Sequence, residues 1–117
     1  MVSPTHVLVI DESEHLGVLI EAVLLRAGVA EVILVDGPAV ALQAISALPD
    51  RRGNVALVDR YVLGGGCAAV IAALRARGIP IVIDGEPGQG CDAGLVVLPK
   101  PYGAQALVEG LRAALSA

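Results

Sequence analysis

Five short aliphatic runs, each closing on or near a charged residue, set what this chain can fold into. Val7-Leu8-Val9-Ile10 ends in Asp11-Glu12, Val32-Ile33-Leu34-Val35 in Asp36, and Val55-Ala56-Leu57-Val58 in Asp59. Ile79 to Ile83 ends in Asp84, and Leu95 to Leu98 ends near Lys100. Runs this short and rich in β-branched residues read as strands buried on both faces. Helical patterns lie between them. From Glu14 to Ala27 the apolar residues Leu16, Leu19, Ile20, Val23, Leu24 and Ala27 recur at three- and four-residue steps, and Gly28 stops the helix. Asp36-Gly37-Pro38 offers a cap and a first-turn proline for a helix running to about Leu48. A further helix is expected from about Cys67 to Arg77, stopped by Gly78, and a last one from Ala104 to Leu115.

Strand and helix alternating at this cadence mean βαβ units, a parallel sheet and helices on both of its faces. Right-handed crossovers leave few topologies. The expected fold class is α/β, a flavodoxin-like three-layer sandwich with five parallel strands in the order 2-1-3-4-5. Residues 1–117 are expected to form one domain, since 117 residues leave no room for a second. One segment breaks the rhythm. Glu86 to Gly94 lies where a fourth helix belongs, yet it holds three glycines and a proline, so that helix is expected to be short or missing.

Composition narrows the function classes. Hydrophobic residues make up 56% of the chain, enough for a large aliphatic core. Eight basic residues against twelve acidic ones give a net charge of −4, which argues against nucleic-acid binding. Tyr61 and Tyr102 are the only aromatic residues, too few for a base-stacking platform. They are expected to anchor loops by packing. Cys67 and Cys91 are far apart and form no CxxC pair, consistent with a reduced, cytoplasmic protein. No signal peptide and no membrane-spanning run are expected. His6 and His15 read as surface or helix-face residues.

Ligands of open parallel sheets bind beyond the carboxyl ends of the strands, where strand order reverses. In the order 2-1-3-4-5 that point lies between the first and third strands. Asp11, Glu12 and Asp59 should therefore converge on one crevice. Three carboxylates that close repel by several kcal/mol at an effective dielectric of about 20, so a positive partner is required. A hard divalent cation such as Mg²⁺ fits oxygen ligands. Lys100, the only lysine, falls on the same edge. A carboxylate, a divalent cation and a lysine around one crevice suit phosphoryl transfer, with Asp59 as nucleophile. Taken singly, each residue also has a plainer role: Asp59 as a turn former, Asp11-Glu12 as a helix cap, Lys100 as a solvated charge.

Taken together, Val7 to Ser13, Leu57-Val58-Asp59 and Leu98-Pro99-Lys100-Pro101-Tyr102 resemble the receiver domain of two-component response regulators, over essentially the whole chain. The resemblance implies that Asp59 accepts a phosphoryl group from a phosphohistidine on a histidine kinase or a histidine phosphotransfer protein. It implies that Asp11, Glu12, Asp59 and the backbone carbonyl of Tyr61 hold Mg²⁺, and that Lys100 contacts the phosphoryl oxygens. By the same analogy the peptide bond between Lys100 and Pro101 is cis. The domain would be no enzyme beyond Mg²⁺-dependent self-phosphorylation and autodephosphorylation.

Several positions depart from the family pattern. The hydroxyl residue usual at the end of the fourth strand is replaced by Asp84 or by Gly85, depending on which neighbour is matched. The switch aromatic of the fifth strand is replaced by Val97. Glu12 stands where an aspartate is commoner, and Leu63 where a proline is common. Two readings follow. In the first the chain is a single-domain receiver, with no output domain expected beyond its last helix, that docks to a downstream protein target or relays phosphate. In the second it is a pseudo-receiver that signals without phosphorylation, because both halves of the usual relay are absent. A homodimer is compatible with either, through Val96, Val97, Leu98 and the last helix. A small aspartyl phosphatase fits less well, since Tyr61 stands where a second aspartate belongs. A nucleotide-binding protein also fits poorly, since neither GxGxxG nor GK[ST] is present.

Overall fold

The computed structural model describes residues 3–11, 13–59, 67–85, 95–99 and 102–116. Its strands are β1 (His6–Ile10), β2 (Glu31–Val35), β3 (Asn54–Asp59), β4 (Ile81–Asp84) and β5 (Val96–Leu98). Its helices are α1 (Glu14–Arg26), α2 (Pro38–Ala47), α3 (Cys67–Ala76) and α4 (Ala104–Ser116). All strand pairs are parallel, and the sheet runs β2-β1-β3-β4-β5, the order expected from the sequence. Residues 86–94, where a helix is expected to be short or missing, lie outside the described residues.

The two faces of the sheet bury separate aliphatic clusters. Side chains alternate along each strand, so odd and even positions part company. Leu8, Ile10, Ala56, Val58, Ile81 and Ile83 face α2 and α3 and meet Ala41, Ile45, Val70, Ile71 and Leu74. Val7, Val9, Val55, Leu57, Val82 and Leu98 face α1 and α4 and meet Ile20, Leu24, Leu107, Leu111 and Ala114. Burial on both faces is why these strands are continuous aliphatic runs rather than alternating ones.

Local chemistry sets the helix ends. Ser13 caps α1, its Oγ accepting from the Leu16 N–H at 3.2 Å. After α1 and α3 the chain turns through Gly28 (φ 100°) and Gly78 (φ 67°), a left-handed conformation that glycine adopts without strain. The start of α2 differs from expectation. Its cap residue is Gly37, with no side-chain hydrogen bond, so Asp36 does not cap it; Pro38 opens the first turn as expected. β4 begins at Ile81 rather than Ile79, because Gly78 and Pro80 occupy the turn out of α3, where the Pro80 carbonyl accepts from the Ala56 N–H at 2.9 Å. No helix among the described residues is long and apolar enough to cross a membrane.

Candidate functional site

The alternation that builds the core also builds the site. On the face covered by α1 and α4, Val7 and Val55 form one row of side chains, and Val9, Leu57 and Val82 the next. Continuing the same parity one step further gives Asp11, Asp59 and Asp84. Ile10 pairs with Val58 across β1 and β3, which places Asp11 and Asp59 side by side at the carboxyl ends. Asp59 pairs directly with Asp84 across β3 and β4. Adjacent strands lie about 4.8 Å apart, so three acidic residues line one edge of one face. All three are buried, with 6%, 5% and 1% of their surface exposed.

Each end of this row is tied down. The Asp11 N–H donates to the Val35 carbonyl at 3.0 Å, and an Asp11 carboxylate oxygen accepts from the Ser13 N–H at 2.8 Å. The second bond turns the chain from β1 into α1 and fixes the carboxylate at the strand end. At the other end the Tyr102 hydroxyl donates to an Asp84 carboxylate oxygen at 2.8 Å. Burial, and next the Asp84 carboxylate beside it, push the Tyr102 phenol well above its ordinary value; Asp11 and Asp59 act in the same direction. Tyr102 therefore stays a proton donor and feels the whole row. Its ring packs against the cluster between the sheet, α1 and α4.

The residues named from sequence fall into three groups. Asp11 and Asp59 come together as expected. Of Asp84 and Gly85, the two candidates for the hydroxyl position, Asp84 is in the row. Gly85 is the turn residue after it, with φ 137° and its N–H donating to the Leu98 carbonyl at 3.0 Å. Val97 pairs with Ile83 on the opposite face and packs with the α2–α3 cluster. Glu12, Tyr61 and Lys100, with the Lys100–Pro101 peptide bond, lie outside the described residues. Tyr102 needs correcting. The sequence suggested a packing anchor, and it is one, but its hydroxyl also joins the acidic row. The usable signal was that a buried aspartate at a strand end requires a donor, and that Asp84 pairs in register with Leu98, four residues before Tyr102.

The donor set suits a hard cation. Mg²⁺ is held through one or two carboxylates with waters completing its shell, and Asp11 and Asp59 supply two buried carboxylates on neighbouring strands. Among the described residues alone, no group of three His, Cys, Asp or Glu side chains is gathered closely enough to hold a metal ion. The three aspartates share a row without forming one ligand set.

Solved structures match this fold over nearly the whole chain. A putative response regulator from Chloroflexus aurantiacus is 27% identical, with 97% of this chain and 99% of that one covered and a TM-score of 0.77. A response regulator receiver protein from Sinorhizobium medicae is 20% identical over 97% and 96% of the two chains, with a TM-score of 0.80. The chain has the receiver-domain fold. A third receiver, from a sensor histidine kinase of Pseudomonas aeruginosa, carries a magnesium ion in its active-site cleft. It is 21% identical, with 98% of this chain and 100% of that one covered and a TM-score of 0.77. No protein-family model and no curated protein sequence matches the chain. Within that fold, what marks this chain is the edge of its sheet, where Asp84, bound by Tyr102, pairs with Asp59.

Proposed function

We propose that residues 1–117 act as one receiver unit that accepts a phosphoryl group on Asp59 from a phosphohistidine donor, with Mg²⁺, and signals by contact with other proteins. The observation that carries this is the pair of buried carboxylates, Asp11 and Asp59, side by side at the carboxyl ends of β1 and β3. That is the place where an open parallel sheet binds its ligand. The donor is a histidine kinase or a histidine phosphotransfer protein, and the output is a downstream protein target.

In the transfer, an Asp59 carboxylate oxygen forms a P–O bond as the N–P bond of the phosphohistidine breaks. The imidazole leaves with the electron pair and takes up a proton. Asp11, held by the Ser13 N–H, keeps its carboxylate at the strand end beside the acceptor. The cation, when bound, neutralises charge on the phosphoryl oxygens. By sequence position, Glu12 and the carbonyl of Tyr61 complete its protein ligands, and Lys100 pairs with the transferred group. Hydrolysis of the acyl phosphate resets Asp59.

A second reading, a pseudo-receiver, is supported by one observation: a buried carboxylate, Asp84, is the register partner of Asp59, while the resemblance expects a hydroxyl at Asp84 or Gly85. Adding Mg²⁺ and beryllofluoride separates the two. A spectral change that saturates, and that vanishes in Asp59→Asn, supports the phosphoacceptor. No change in the wild-type protein supports the pseudo-receiver.

A further inference from the structure

Asp59 and Asp84 are register partners on adjacent strands, on the same face, and both are buried. A phosphoryl group on Asp59 brings further negative charge to within about one strand spacing of a second carboxylate. Such a neighbour opposes the transfer unless it is held elsewhere. The Tyr102 hydroxyl holds it, donating to Asp84 at 2.8 Å. The ring behind that hydroxyl packs just before α4 against the cluster between the sheet, α1 and α4, beside a cavity of about 360 Å³ that it lines together with Leu16, Ile20, Val23 and Leu107.

We propose that Tyr102 is a positioning residue: its phenol holds the Asp84 carboxylate off Asp59, so that the acceptor can take an anionic phosphoryl group despite a carboxylate in the neighbouring strand. This rests on Asp59 being the phosphoacceptor. It gives Tyr102 a task that packing alone does not require, since phenylalanine would keep the same ring packing. It also makes Asp84 and Tyr102 a matched pair, coupled in their effect on the acceptor.

The test is a double-mutant cycle on the full chain, reading the affinity for beryllofluoride in saturating Mg²⁺. Tyr102→Phe, which removes the phenol's hydrogen bond to Asp84 but keeps the ring, is expected to weaken binding about tenfold, the scale of one lost hydrogen bond to a charged group. Removing the charge as well, in Asp84→Asn with Tyr102→Phe, is expected to restore binding to within about twofold of Asp84→Asn alone. Asp84→Asn by itself is expected to bind at least as well as wild type. A purely structural role for Tyr102 would not be rescued by neutralising its partner. Unchanged binding in Tyr102→Phe, a loss that Asp84→Asn does not repair, or weakened binding in Asp84→Asn overturns the positioning role and leaves the acceptor standing. Absence of binding in wild type overturns the acceptor, and the positioning role with it.

Discussion

Asp59 and Asp84 face each other across β3 and β4, in register and both buried, and a phenol bound to the second keeps company with the first. The acidic edge of this receiver is thus built from three neighbouring strands rather than two. The added member arrives with its own hydrogen-bond donor, because a buried carboxylate left without one is costly.

That donor has a visible titration. The Tyr102 phenol is raised in the folded protein, chiefly by burial and then by the Asp84 carboxylate. A raised group binds its proton more tightly folded than unfolded. Its contribution to stability is therefore complete below the ordinary tyrosine value near 10 and is lost as pH climbs above it. Followed by tyrosinate absorbance, one tyrosine should stay protonated well past pH 10 until the protein unfolds. In Asp84→Asn that tyrosine should ionise at lower pH.

Cation binding should depend on Asp11. Asn keeps the oxygen that accepts from the Ser13 N–H, so the turn into α1 survives while the charge is lost. Isothermal titration with Mg²⁺ should show Asp11→Asn weakened on the order of tenfold or more, with little change in thermal stability.

Away from the site, Arg77 at the end of α3 ties down the end of α2. Its guanidinium donates to the carbonyls of Ile45 and Leu48 and to the Asp50 carboxylate at 2.9 Å. Several acceptors met by one planar fork cannot be served equally by an ammonium. Arg77→Ala should cost about 2 kcal/mol in denaturant unfolding, and Arg77→Lys should recover only part of that.

Much of the fold was legible because each aliphatic run is too short for a buried helix and all but the fourth are followed by an amphipathic pattern. Strand order and the meeting of Asp11 with Asp59 then follow from parallel topology. The face of Asp84 was less accessible. Whether Asp84 or Gly85 joined the row depended on one step of register, and a one-residue shift moves a side chain to the opposite face. The Tyr102 bond was hidden for a different reason. It joins residues eighteen positions apart through the geometry of a turn, and no periodicity encodes which way a phenol points. The missing cap at Asp36 is a similar case: a residue able to cap yields when the backbone places Gly37 at the cap position.

The most direct measurement is the intact mass of the protein after incubation with Mg²⁺ and acetyl phosphate. One phosphoryl adduct on the wild-type chain, prevented by chelating the metal before incubation and absent from Asp59→Asn, is expected. A wild-type chain that gains no adduct, or an adduct that persists in Asp59→Asn, would contradict Asp59 as the acceptor.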